Sequence, residues 1–344
     1  MGNNYSTATN TLLTIDLMKA PFATSKSDAG AALLLALWAL FLLSAMVIAW
    51  AININSRLTV SGYANRIVEA EAMASSGADI ALNPTIKPDS PNLHMKFGGG
   101  EKFDVQMTGE CGRLNLNFLT QGEDPRKLAI LRQYLSLKGI ELNDLDVMMD
   151  SLLDWVSPNR GLHHLNAPEE SDDYHPPHAP LTSVDELKKV FGWTEFTSKP
   201  GWDKDFTFVS NCGPIDLAWA SGDVLRALPG IGEDSVDRFL QLRQGPDGID
   251  GTADDFQFIA TAGAQVPSEV WAALGLNSQQ FPQIQALVQF RGPVMRIVSI
   301  GKSGDVTRSV EMVVLKQTLS GGAAAGVTTA IVAGRPQVFS WKEL

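Results

Sequence analysis

Residues Ala31–Ile52 read AALLLALWALFLLSAMVIAWAI, and no Asp, Glu, Lys or Arg occurs between Ala29 and Ser56. At 1.5 Å rise per residue a helix over this run reaches roughly 33 Å, about the thickness of a bilayer's hydrocarbon core. A cleaved secretory signal has a shorter apolar core, with its small-residue cleavage site after it. Here the small residues Ala29 and Gly30 stand before the run. Trp38 and Trp50 fall near the two ends, where amphipathic rings meet the membrane interfaces. On hydropathy alone a plain single-pass anchor explains the segment equally well.

Working outward, helical character persists beyond the apolar run. No proline occurs between Asn53 and Leu82, and the first is Pro84. Ile54, Leu58, Ile67, Ala70, Met73, Ala74, Ala78 and Ile80 form a patchy apolar stripe, with Arg57, Arg66, Glu69, Glu71 and Asp79 suited to a wet face. The pattern predicts one helix of about 50 residues, its front half in lipid and its rear half packed on a globular domain.

That arrangement resembles a type IV pilin-like subunit. Gly30 before an apolar run resembles a prepilin peptidase site, with cleavage after Gly30 leaving Ala31 as the mature N-terminus. Two features depart from the common pilin pattern. The leader, residues 1–30, balances Asp16 and Asp28 against Lys19 and Lys26 where a basic leader is usual. The fifth mature residue is Leu35, where most pilins carry glutamate. A carboxylate in lipid costs a few kcal/mol unless it meets a partner charge. A subunit capping a fibre has no subunit above it to supply that charge, so Leu35 fits a tip.

Composition sets outer limits. The 344 residues suffice for two compact units, and 44% are apolar. A formal charge of −11 argues against general affinity for nucleic acid or an anionic membrane surface. Cys111 and Cys212 are the two cysteines, without CxxC or finger spacing, which removes a structural zinc site. G-x-S-x-G, P-loop and H-E-x-x-H signatures are missing. Asp154 beside Trp155 reads as structural, and the chain as not an enzyme.

Beyond Gly98-Gly99-Gly100, the alternation in Lys102–Thr108 (KFDVQMT) predicts a strand, followed by Cys111-Gly112-Arg113-Leu114-Asn115-Leu116-Asn117. A similar order returns at Phe206–Leu217 (FTFVSNCGPIDL). Between them Asp124-Pro125 opens a helix with Leu128, Leu131 and Leu135, Leu142–Trp155 forms a second, and Thr182–Leu187 carries an N-cap signature for a third. Val294–Ile300 and Val306–Lys316 flank Gly301-Lys302-Ser303-Gly304 as a β-hairpin, and Gly321–Thr329 is a small-residue linker.

GRLNLN, LLDW (Leu152–Trp155) and TSVDEL (Thr182–Leu187), in that order, resemble the K-type minor pseudopilins of type II secretion systems, also called general secretion pathway protein K. The likeness runs from about Gly30 to the end of the chain, and that family characteristically lacks the glutamate replaced here by Leu35. It implies an α+β fold: a pilin-like long N-terminal helix plus an antiparallel sheet, with an inserted helical domain. The expected divisions are a leader (1–30), the helix (31–84), first strands (85–117), the insert (118–205), a strand with helix-hairpin-helix and acidic loop (206–290), and C-terminal strands and tail (291–344).

It further implies an inner-membrane protein with a periplasmic body, cleaved and N-methylated by a prepilin peptidase. Its partners would be the I- and J-type minor pseudopilins and the major pseudopilin, with no nucleic acid. Its role would be to prime a fibre for export across the outer membrane. In that oxidising compartment Cys111 and Cys212 are expected as a disulfide stapling the insert's ends to the sheet, worth about 4–5 kcal/mol by loop entropy. Two buried thiols are the alternative.

Asp247, Asp250, Asp254 and Asp255, spaced by glycines, could wrap oxygen donors around a hard cation. Calcium sites occur in the family, and an acidic solvated turn is the other reading. His163, His164, His175 and His178 lie near Glu169, Glu170, Asp172 and Asp173, but prolines make that stretch an extended loop and no metal is expected there. Ala227–Val236 matches a helix-hairpin-helix. Its charge balance (Arg226, Arg238 and Arg243 against Asp223, Glu233, Asp234 and Asp237) favours packing over phosphate binding. A membrane-tethered DNA-binding module built on that hairpin and a minor pilin of a type IV pilus are the rival functions.

Overall fold

The computed structural model describes residues 28–161, 163–259, 265–277, 279–316 and 336–344. The leader up to residue 27 and the Gly321–Thr329 linker lie outside them. The chain forms two units, the first ending at Gly62 and the second running Tyr63–Leu344. Helix α1 is Asp28–Leu82.

In the first unit every side chain from Gly30 to Gly62 is exposed. An unsatisfied apolar face of this size needs lipid or other helices. Among the described residues α1 is the helix long and apolar enough to cross a membrane.

In the second unit the rest of α1 packs on a five-stranded antiparallel sheet. Strand β1 (His94–Lys96) pairs with β2 (Lys102–Gly109). The chain then leaves the sheet through a 3-10 turn, Glu110–Gly112, and a short β3 (Leu114–Asn115). Helices α2 (Leu116–Thr120), α3 (Pro125–Leu137), α4 (Leu142–Val156) and α5 (Thr194–Ser198) follow. Next come β4 (Phe206–Thr207), β5 (Ile215–Asp216), α6 (Gly222–Arg226), α7 (Glu233–Gln244), α8 (Ser268–Ala273), α9 (Phe281–Ile284) and β6 (Val288–Gln289). The chain re-enters the sheet as β7 (Val294–Ser303), turns tightly at Gly304-Asp305 into β8 (Val306–Leu315), and closes with β9 (Gln337–Glu343). Strand order is β1-β2-β7-β8-β9. Everything from Glu110 to Pro293 is therefore an insertion between two strands that pair side by side.

Two cores result. Ala74, Ala78 and Ala81 of α1 meet Phe103, Val105 and Met107 of β2 and Ile297, Val310, Met312 and Val314 of the hairpin. Alternation in β2 sends Phe103, Val105 and Met107 inward, the period-2 geometry read from KFDVQMT. The larger core gathers Leu131, Leu135, Leu152 and Trp193 together with Phe206, Val224, Phe239 and Leu287. The stretches before and after residue 205 thus share one interior.

Two local expectations change. The Thr182–Leu187 signature starts a 3-10 helix, Val184–Lys189, rather than an α-helix. Thr182 does donate its backbone N–H to Glu186 Oε1 (3.0 Å), but Gly192 at φ +81° turns the chain after six residues, too few to propagate an α-helix. The strand expected over FTFVS pairs only at Phe206–Thr207, parallel to β3. Asn115 Nδ2 donates to the Val209 (2.8 Å) and Cys212 (2.6 Å) carbonyls, bending the chain away. The two cysteine segments therefore do not occupy equivalent strands, since β2 lies in the large sheet and β4 does not.

Candidate functional site

The expected processing residues Gly30 and Ala31 lie in the first turn of α1 and are exposed. The rear of the same helix is built into the sheet through small residues. Ala70, Ala74, Ala78 and Ala81 are fully buried. Glu69 accepts from Ser303 Oγ (2.7 Å), and Arg66 pairs with Asp305 (2.8 Å) at the hairpin turn.

Where the chain leaves the sheet, Cys111 and Cys212 are bonded, with S–S 2.09 Å. They pack with Val294 of β7 and Val313 of β8, so the bridge lies against the sheet where the insert departs. Beside it Glu110, 1% exposed, accepts from Arg296 Nε (2.7 Å), Arg296 Nη2 (3.0 Å) and Thr207 Oγ1 (2.6 Å). Arg296 also contacts Glu311. Burial opposes the Arg296 charge, but its bonds to Glu110 and the Glu110, Glu311 and Asp203 charges together more than offset this and hold the guanidinium above its ordinary pKa. This fully paired network joins β7, β8, the 3-10 turn and β4. Sequence reading missed it, because residues 186 positions apart carry no local signal.

The fold is shared with a known structure. The chain resembles GspK in the crystal structure of the GspK-GspI-GspJ complex from the type 2 secretion system of enterotoxigenic Escherichia coli. The TM-score is 0.51 at 13% identity, covering 85% of this chain and 99% of that one. This is a pseudopilin fold of the GspK kind. No protein-family model and no curated protein matches the sequence.

The acidic loop is organised differently from the expected cation cradle. Asp250, expected as a ligand, instead receives Arg243 Nε and Nη2, both at 2.9 Å, and Gln244 Nε2 at 3.0 Å. Arg243 is 4% exposed and spends its other amine on the Leu217 (3.1 Å) and Ala220 (2.9 Å) carbonyls. Asp254 accepts from the Asp247 N–H (3.1 Å) and Thr252 Oγ1 (2.7 Å). Asp255 accepts from the Gly251 N–H (2.7 Å), and Asp247 from the Ile249 N–H (2.8 Å).

The hydroxyl of Thr252, with the Asp247 amide, holds Asp254 below the usual carboxylate pKa. Burial, and then the nearby Asp250 and Asp247 charges, push Asp255 up. Gly245, Gly248 and Gly251 all have positive φ. A Cβ at Gly245 would lie 2.5 Å from the Asp254 carbonyl oxygen, so the loop closes upon itself there. Among the described residues no three His, Cys, Asp or Glu side chains converge where a metal could be held. The four aspartates do not fit calcium as one ligand set.

Where a helix-hairpin-helix is expected, α6 and α7 are joined by residues 227–232, and Leu228, Val236 and Phe239 enter the larger core. Arg226 is taken by Asp237 (2.6 Å) and Asp223 (3.5 Å), and Glu233 and Asp234 occupy the first turn of α7. A phosphate approaching that turn meets two carboxylates, so the hairpin's geometry serves packing.

Proposed function

We propose that the chain is a non-enzymatic minor pseudopilin of a type II secretion system, placed at the tip of a short periplasmic fibre. The carrying observation is that one helix, Asp28–Leu82, bears both the uncharged run from Ala31 and the alanine stripe that docks on the sheet. The pseudopilin fold, with its insertion between β2 and β7, supports the same reading.

In this proposal the precursor sits in the inner membrane with its body in the periplasm. A prepilin peptidase cuts after Gly30 and methylates Ala31. The exposed apolar faces of α1 then pack against the helices of I- and J-type subunits, a choice supported by GspK having been crystallised with GspI and GspJ. The major pseudopilin would follow below. Leu35 brings no charge requiring a partner above, and the insert blocks further addition sterically. Calcium enters no step of this scheme.

Mass analysis of the protein purified from membranes with and without an active prepilin peptidase tests it. The expected product begins at a methylated Ala31 only when the peptidase is present. An intact Met1 in both preparations would refute the assignment.

A further inference from the structure

Three non-glycine residues among those described have φ in the left-handed region: Glu123 (+49°), His178 (+53°) and Arg291 (+57°). Arg291 is explained by its backbone N–H, which donates to the buried Asp216 at 2.8 Å. The other two share a different setting, since each contributes to a histidine–carboxylate contact pinning the polar segment after α4. Such strained conformations persist only where surrounding contacts over-determine them, and they gather at functional and switching sites.

The contacts have an unusual feature. His178, with a side chain 7% exposed, faces the Ser157 carbonyl through Nδ1 (3.1 Å) and Glu170 Oε1 through Nε2 (2.8 Å). Both are acceptors. His164 faces Asp154 Oδ1 through Nδ1 and Glu123 Oε2 through Nε2 (3.4 Å), again acceptors on both sides. A neutral imidazole has one N–H and therefore satisfies one of its two contacts, leaving a lone pair directed at an oxygen in the other. Only the imidazolium donates to both.

We propose that the segment from His163 to Pro180 is a protonation-dependent strap, fastened to α4 and its flanks by His164 and His178 as imidazolium ions and loosened when they lose their protons. The atoms that the two rings contact are all acceptor oxygens, although other cations share the same carboxylates. Asp154, on α4, is nearly buried and also takes His163 Nδ1 at 2.8 Å; Glu123 comes from the turn before α3. Glu170 faces His178, with His175 3.9 Å from its other oxygen and Arg160 also acting on its charge. Tyr174 packs against Trp155 with the rings tilted and their centroids 6.1 Å apart. Burial works against the His164 charge, but Asp154 and Glu123 more than offset it and raise the pKa. A second anchor, Asn166 donating to Asp150 (3.0 and 2.8 Å), keeps the strap's start in place.

The strap matters because its far end, Pro180, lines a cavity of about 600 Å³ at the root of the insert. Ser157 and Pro158, which follow α4, line it too, with Phe118, Phe208, Gly213 and Glu123. Loosening the strap would free the Pro180 wall of this recess on the neutral-to-alkaline side.

Hydrogen exchange of the full chain in detergent micelles tests this at about pH 5.5 and about pH 8.5, each referred to intrinsic exchange rates. Protection of backbone amides in 163–180 is expected to fall at least about tenfold at the higher pH while β7 and β8 stay unchanged. His164→Gln combined with His178→Gln should show the loosened state at both values. Nitrogen chemical shifts of the two rings in the unmutated protein give a measurement independent of variant folding, with both nitrogens protonated at the acidic value. A neutral tautomer there, equal protection at both values, or loss of protection in β7 and β8 as well would overturn the proposal.

Discussion

Gly301 of β7 and Ala70 of α1 meet so closely that a Cβ at position 301 would lie 2.1 Å from the Ala70 carbonyl oxygen and 2.3 Å from the Ala74 nitrogen. Both atoms belong to the helix backbone, so no side-chain rotation can make room. Gly77 makes the reciprocal approach, its Cβ position 2.4 Å from Ser299 Oγ. Helix and sheet are thus fitted through missing side chains. Gly301→Val should lift the helix off the strand and destabilise the fold by about 1–3 kcal/mol, the usual range for overpacking. Urea unfolding followed by circular dichroism checks it; an unchanged midpoint would contradict the close approach.

The disulfide closes a loop with a sequence separation of 101 residues. Loop entropy then predicts a loss of about 4–5 kcal/mol on replacing both cysteines by serine. Because Glu110 and Arg296 bind the same junction, the folded state should keep the insert in place, and the loss should appear as earlier unfolding rather than altered structure. Denaturation with and without reductant, compared with the double variant, measures it. Equal stability under all three conditions would show that the bridge constrains nothing.

The outline of this architecture was legible wherever periodicity is local. The apolar run Ala31–Ile52, the apolar stripe through Ala70, Ala74 and Ala78, the alternation in KFDVQMT and the hairpin expected about Gly301–Gly304 all declare themselves in contiguous sequence, although β7 in fact runs on through Ser303. The acidic loop shows the opposite. Its composition reads as glycine-spaced aspartate, but the fate of Asp250 depends on Arg243 being buried against the Leu217 and Ala220 carbonyls. Similarly, the prolines of the histidine-rich stretch mark an extended loop, whereas its partners Asp154 and Glu123 lie outside it in sequence. Spacing reveals which groups could gather; tertiary packing decides which do.

Arg243 and Asp250 form a two-pronged ion pair almost out of solvent. Removing one partner strands a buried charge, so Asp250→Ala should cost about 3–5 kcal/mol. Asp247→Ala, at an exposed position, should cost well under 1 kcal/mol. Since the loop is closed by a guanidinium, chelation with EDTA should leave the unfolding midpoint unmoved. A calcium-dependent rise in that midpoint, abolished by Asp254→Asn, would mean that Asp247, Asp254 and Asp255 rearrange around a cation after all.

Lys316, 4% exposed, follows β8 and donates to the Ala81 carbonyl at 2.9 Å and to the Ile86 carbonyl. It thereby caps the C-terminal end of α1, whose last turn has no basic residue of its own. Burial lowers its pKa from 10.5 to about 8. The sign follows from proton counting: between these two values the unfolded chain binds a proton that the folded chain lacks, so stability rises with pH across that interval. Below about pH 8 both states carry the proton and the contribution is flat. Lys316→Met removes this dependence while leaving other titrating groups in place. The difference in unfolding free energy between the two proteins should therefore shift in favour of the lysine form as pH climbs toward 10.5. Parallel pH profiles for the two would place the ammonium in water rather than under the helix end.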